Sequence, residues 1–242
     1  MPHKLDELNW MEFKELVPKK FQTVIIPVGT IEAHGVTSLG TDTQISMKLC
    51  EMIADDLKAI LAPPIHYGVT RTLYSYPGSL TVTSETFQRY VTEILESLVD
   101  KDFRQVVVIN GHGGHLRELD AASLKINRTL KAKVAVVHWW IFCEDIAKEI
   151  FGQLGGHAGV DETAAILATD RKLVKKERFK KEMAFPSQKG LTVYPGPATI
   201  YLLKEGEGYP DFDEKKAKLF LKRSADKIKK TLLDIFKRWE RI

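Results

Sequence analysis

Four short runs rich in Val and Ile, at 23–28, 60–65, 105–110 and 133–138, are apolar at nearly every position rather than at every second one. A continuous apolar run of this length, bounded by turn residues, reads as a strand buried on both faces. Between the runs the period changes. Over 43–57, Ile45, Leu49, Met52, Ile53 and Leu57 form one stripe; over 85–99, Phe87, Val91, Ile94, Leu95 and Leu98 form another, with Ser84 as N-cap. Further helices are predicted over 116–130, over 161–169, and over 213–238, the last with Leu219, Ile228, Leu232 and Ile235 as its apolar side. Strand and helix alternate, so the pattern predicts an α/β fold with a mainly parallel sheet covered by helices on both faces. The stretch 185–210 breaks the pattern with Pro186, Gly190, Pro195, Gly196, Pro197, Gly206, Gly208 and Pro210, a density that predicts loops and a hairpin.

The chain has 242 residues, which fits one domain over 1–242 with a sizeable core. Its 36 basic and 32 acidic residues leave a formal charge of +4, too even a balance to argue for nucleic acid. The excess sits in the lysine-rich 215–241 segment, where a solvated helix face explains it. Cys50 and Cys143 fall inside apolar helical patterns and read as buried reduced thiols, not a disulfide framework. The first residues are charged throughout and lack a signal-like apolar run. No segment reaches the ~18–20 apolar residues of a membrane span, so a cytoplasmic protein without a membrane partner is expected.

Chemistry concentrates where strands give way to loops, the place where open α/β sheets bind ligands. After the first strand comes Gly29-Thr30-Ile31-Glu32-Ala33-His34-Gly35, then Thr41-Asp42 at a helix start. After the third comes Asn110-Gly111-His112-Gly113-Gly114-His115; farther on lies Gly155-Gly156-His157-Ala158-Gly159-Val160-Asp161-Glu162-Thr163. Carboxylates and imidazoles without thiolates suit Zn²⁺, Mn²⁺ or Fe²⁺ and exclude the usual structural zinc pattern. Glu32 and His34 share a face in an extended segment, and the two oxygens of Asp42 can bridge a pair of ions. Taken singly, Asp42 is also an ordinary N-cap, His112 a turn histidine, and His115 a solvated helix-start histidine. Three glycine-flanked clusters after predicted strands outweigh those separate explanations. The Trp139-Trp140 pair fits a substrate wall or a core edge. A phosphate loop is not supported, because Walker spacing and its Lys are missing, and no Ser sits in a nucleophile elbow.

These clusters resemble the creatininase (creatinine amidohydrolase) family, which includes formamidopyrimidine deformylases. The resemblance is carried by Pro27-Val28-Gly29-Thr30-Ile31-Glu32-Ala33-His34-Gly35, Gly40-Thr41-Asp42, Asn110-Gly111-His112-Gly113-Gly114, and His157-Ala158-Gly159 with Glu162-Thr163. It implies a three-layer αβα sandwich, two divalent ions, and hydrolysis of non-peptide C–N bonds in linear or cyclic amides. It also implies a homo-oligomer, often a hexamer. By motif position Glu32, His34, Asp42 and His112 would be metal ligands, with Asp42 bridging, and His157 would lie beside the reacting amide.

The sequence departs from the family pattern at Val36-Thr37-Ser38, at His115 where an Asn is usual, and at Ala164 where a Ser is common. Creatininases proper also carry a ligand carboxylate at the position of Gly114, so Glu162 becomes the candidate for the missing ligand. The expectation is therefore a formamide on a heterocycle as substrate, hydrolysed by a metal-bridging hydroxide, with His157 and Glu162 catalytic and His157 the acid. Gly113, Gly114, His115 and Trp139 are expected to bind the substrate. Creatinine hydrolysis, a di-metal phosphoesterase and a non-catalytic metal-binding assembly protein are the alternatives.

Overall fold

A strand covered on both faces needs apolar side chains throughout, and Thr23–Val28 (β1) supplies them: all six residues are buried. The computed structural model describes residues 2–186, 193, 200–203 and 207–241. In it β1 pairs in parallel with Ala59–Leu61 (β2) on one side and with Gln105–Asn110 (β3) on the other. Lys133–His138 (β4) pairs in parallel with β3, so the sheet order is β2-β1-β3-β4. The register aligns Val28 with Asn110 and Asn110 with His138, which brings three strand ends level at one edge.

Parallel neighbours require crossovers, and each crossover is a helix. Trp10–Leu16 (α1) precedes the sheet. Thr41–Ile53 (α2), Ser84–Asp100 (α3) and Leu116–Leu130 (α4) then link the strands in turn. Trp139–Phe142 (α5), Glu144–Phe151 (α6), Val160–Thr169 (α7) and the long Glu214–Trp239 (α8) follow β4. Alternate strand residues divide the core. Ile25, Val107 and Ile109 pack under α2, α7 and α8 with Leu49, Ile166, Phe220 and Ile228. Val24, Ile26, Val106 and Val108 pack under α3 and α4 with Phe87, Val91, Leu119 and Ile126. Each such side chain contributes about 1.5–3 kcal/mol of burial. The result is a three-layer α/β sandwich, as the alternation predicts. No helix among the described residues is long and apolar enough to cross a membrane.

Several local expectations differ in detail. The N-cap of α3 is Thr83, whose hydroxyl accepts the Thr86 N–H, because the Ser84 hydroxyl donates to Glu118 instead. β2 stops at Leu61, before Pro63 and Pro64, which lack the donor a ladder needs; Ile65 rejoins β1 through a bridge to Val28. On α8 Leu219 is exposed and Phe220 and Leu221 take the buried side, and on α2 Met52 is exposed. Instead of a hairpin, Ala184–Pro186 (β5) and Tyr201–Leu203 (β6) pair in parallel. Gly190, Pro195, Gly196, Pro197 and Gly206 lie outside the described residues. Cys50 and Cys143 are buried and free, as their apolar surroundings predict.

Candidate metal centre

Two glycines let α2 bring its first turn against the strand ends. A Cβ on Gly29 would stand 2.4 Å from the Thr43 backbone nitrogen, and one on Gly111 would stand 2.2 Å from the Asp42 carbonyl oxygen. Asp42 is thereby driven between the loops that follow β1 and β3, where it is almost fully buried. Glu32 and His34 reach it from the first loop, His112 from the second, and His157 and Glu162 from the turn that opens α7.

Three histidines are oriented by backbone. His34 Nδ1–H donates to the Glu32 carbonyl at 2.9 Å, His112 Nε2–H to the Val69 carbonyl at 2.9 Å, and His157 Nε2–H to the Ala33 carbonyl at 2.9 Å. The other nitrogen of each ring faces the acids. His34 Nε2 is 2.8 Å from Asp42 Oδ1 and 3.8 Å from Glu162 Oε2. His112 Nδ1 is 2.9 Å from Asp42 Oδ2 and 3.4 Å from Glu32 Oε2, while His157 Nδ1 is 3.8 Å from Glu32 Oε2. His34 Nε2 and both Asp42 oxygens are enclosed, and they have no partner beyond these mutual imidazole–carboxylate contacts. Buried ring nitrogens and carboxylate oxygens that converge on one point with no other partner fit a shared cation. Among the described residues the ligand-type atoms group as Glu32–Asp42–His112, His34–Asp42–Glu162 and Glu32–His34–His157, each within 4.8 Å. A backbone-held imidazole presenting its second nitrogen is the usual arrangement of a metal-ligating histidine.

Charge reinforces the geometry. Burial alone would lower the His34 pKa, but Asp42, Glu162 and Glu32 outweigh it and push it up to about 10. Burial likewise opposes His112, which Asp42 and Glu32 raise to about 9. Burial works against the Asp42 charge too, yet His34 and His112 hold its carboxyl well below the usual range. Burial raises Glu32 and Glu162. Burial and neighbouring His34 lower His157 to about 3, so that ring is neutral near pH 7.

The cluster floors a cavity of about 570 Å³ whose walls include Gly113, Gly114, Trp140, Arg71, Glu144 and Glu207. Two expected substrate contacts are corrected. Trp139 is buried and packs edge-on against Phe220, because α5 turns it into the core and leaves Trp140 at the cavity. His115 is also fully buried: it stacks on Phe87 at 4.0 Å and accepts the Val69 N–H at 3.0 Å, away from the cavity. His66 and Tyr67 are exposed and do not line it. At Gly114 a Cβ would come 2.2 Å from the Val69 carbonyl oxygen, so a carboxylate side chain has no room there. Sequence reading missed the contribution of Val69, Thr72, Leu73, Glu144 and Glu207. Glu207 stands between Gly206 and Gly208, and that was its available signal.

Turn geometry supports the α7 entry. Ala158 adopts φ +57, a left-handed conformation that side chains disfavour, and its N–H donates to Glu162 Oε2 at 2.6 Å. The Gly156 N–H donates to Asp161 Oδ1 at 3.1 Å. Two consecutive acids thus fasten the turn that carries His157.

The chain is similar to several known proteins. A creatinine amidohydrolase of Pseudomonas putida is 28% identical over 196 residues, covering 71% of this chain and 74% of its own. A mycofactocin precursor peptide peptidase of Mycobacterium ulcerans is 28% identical over 194 residues, covering 75% and 72%. A crystal structure of creatinine amidohydrolase superposes with a TM-score of 0.85 at 23% identity, over 97% of this chain and 98% of its own. Matching creatininase structures include a Zn–Zn form and a Mn form, with TM-scores of 0.83 and 0.82. The sequence model of the family, described as creatinine amidohydrolase, matches residues 6–229, and the chain belongs to the creatininase family of amidohydrolases.

Proposed function

We propose that this protein uses two divalent ions to hydrolyse a C–N bond in a small amide, with a formamide on a heterocycle as the favoured substrate. The observation that carries the reading is Asp42, whose two enclosed oxygens face His34 Nε2 at 2.8 Å and His112 Nδ1 at 2.9 Å with no other partner. Glu32, Asp42 and His112 would hold one ion, and His34, Asp42 and Glu162 the other, with Zn²⁺ favoured and Mn²⁺ or Fe²⁺ also suited to the donors. Bound there, the ions supply Lewis acidity toward a carbonyl and acidify water.

The chain's own groups do the rest. His157 donates from Nε2 to Ala33, so Nδ1 carries the lone pair that faces the cavity. It takes the proton of the attacking water and then delivers that proton to the departing nitrogen, acting as base before it acts as acid. Glu162 holds the Ala158 N–H and with it the turn that aims His157. Trp140 lies over Gly113, where it offers an aromatic face to a planar ring. A cavity of about 570 Å³ lies in the usual range for drug-sized ligands and suits a substituted heterocycle.

Relatedness to creatinine amidohydrolase supports creatinine as the second reading; the crowded backbone at Gly114 counts against it. The test is a parallel assay of metal-loaded protein on a formylaminopyrimidine nucleotide, on creatinine and on a short peptide. Formate release should exceed turnover of the other two. Faster creatinine turnover would reject the formamide choice, and no turnover of any amide by ion-loaded protein would reject the catalytic reading.

A further inference from the structure

We infer that His115 is a positioning residue, which grips Val69 and through it orients His112 toward the metal centre. The inference rests on the reading that His112 holds an ion.

Val69 is held at both ends by imidazoles. Its N–H donates to His115 Nε2 at 3.0 Å, and its carbonyl accepts His112 Nε2–H at 2.9 Å. Because His115 Nε2 is the acceptor, its proton sits on Nδ1, 3.4 Å from Asn110 Oδ1. That same Asn110 oxygen accepts the His112 backbone N–H at 3.1 Å, and Asn110 Nδ2 donates to the His112 carbonyl at 2.8 Å. His112 is thus fixed along its backbone by Asn110 and at its ring by Val69, and His115 stands behind both partners. The His115 ring is locked in turn: it stacks on Phe87 with an interplanar angle of 19° and is shut off from solvent.

Gly68 is cut to this ring. A Cβ on Gly68 would fall 1.9 Å from His115 Nε2, so the backbone passes where only a glycine lets the ring meet the Val69 amide. Removing the acceptor leaves the Val69 N–H buried and unpaired, which favours movement of the residue and of the carbonyl that orients His112. Arg71 separately ties the segment to Glu118 at 2.9 Å, so the loop keeps a second anchor and the fold survives. Groups that orient a ligating histidine typically change metal affinity about 10–100-fold when removed.

Three variants test this: His115→Phe keeps the stack and loses the acceptor, His115→Gln keeps an acceptor, and Gly68→Ala displaces the ring. Zn²⁺ affinity is measured by competition with a chromophoric chelator, Co²⁺ absorption reports ligand geometry, and the metal-free melting temperature reports folding. His115→Phe and Gly68→Ala should weaken one of two Zn²⁺ equivalents about 10–100-fold and alter the Co²⁺ spectrum, while His115→Gln stays within a few-fold of the parent. Unchanged affinity and spectrum in His115→Phe and Gly68→Ala, with only a lower melting temperature, would make His115 a packing residue and overturn the inference while leaving the metal reading intact. Parent protein that binds no Zn²⁺ would remove both.

Discussion

His34 and His112 each commit one ring nitrogen to a backbone carbonyl and turn the other toward Asp42, so on the proposed ligand assignment protons and metal ions would compete for the same atoms. With burial overcome by their acidic neighbours, the two rings hold protons up to about pH 10 and 9 in the metal-free protein. Both values lie above the unfolded reference near 6.5, so the native state binds the extra protons. Their contribution to metal-free stability is complete below about pH 6.5 and is lost as pH rises through 9–10. Metal binding near neutral pH must expel these protons, about two per site pair, and apparent affinity should climb between pH 6 and 9. Titration with Zn²⁺ in weakly buffered solution, repeated calorimetrically in buffers of different ionisation heat, checks it. Binding without proton release would refute the assignment of His34 and His112 as ligands.

At the level of elements, what was legible followed from how each residue is covered. β1, β3 and β4 match their predicted limits because strands inside a three-layer fold must be apolar at consecutive positions. The three glycine-flanked clusters were legible for a related reason: a polar side chain can converge on a strand end only where backbone steps aside, as at Gly29 and Gly111. Helix phase was less legible. One position of rotation on α5 decides that Trp139 enters the core and Trp140 the cavity, and a two-tryptophan run carries no mark of which. The partners of His115 were hidden because residues 68 and 69 are remote in sequence and contribute through backbone alone. α1 buries no residue fully and packs only Phe13 and Leu16 against the core, although its capping box of Asn9 and Glu12 was there to be read. The turn before α7 yields an element-scale prediction. A Cβ on Gly155 would lie 2.0 Å from the Asp161 carboxyl, so Gly155→Ala must displace the acid that holds the Gly156 N–H. Overpacking of this kind costs about 1–3 kcal/mol, and the displaced turn carries His157 with it. Urea denaturation should show that loss alongside a fall in kcat with KM little changed. Parent-like kcat would detach the turn from the chemistry.

For the whole molecule the question is whether the ions build the fold or use it. Both core layers close on the sheet without them, through Leu49, Ile166 and Phe220 on one face and Phe87, Leu119 and Ile126 on the other. Structural zinc domains lack such cores and unfold when stripped, whereas here the sandwich supplies the stability and the carboxylates of Glu32, Asp42 and Glu162 draw on it. Gathering three acids at one buried point is unfavourable until cations arrive, and only the native state assembles the full donor set. Native-state binding therefore stabilises by mass action, about 4 kcal/mol per site at a thousand-fold excess over Kd. A domain of this size shifts its melting temperature by about 2–4 °C per kcal/mol, so one saturated site should add about 8–16 °C. Chelator-treated protein should keep its far-ultraviolet circular dichroism at 25 °C and melt at the lower temperature, and added Zn²⁺ should restore the higher one. In Asp42→Ala, which removes the oxygens shared by the two proposed ion positions, most of that rise should vanish. Chelation that abolishes the helical signal at 25 °C would show instead that the ions hold the layers together. A full rise in Asp42→Ala would show that they bind somewhere else.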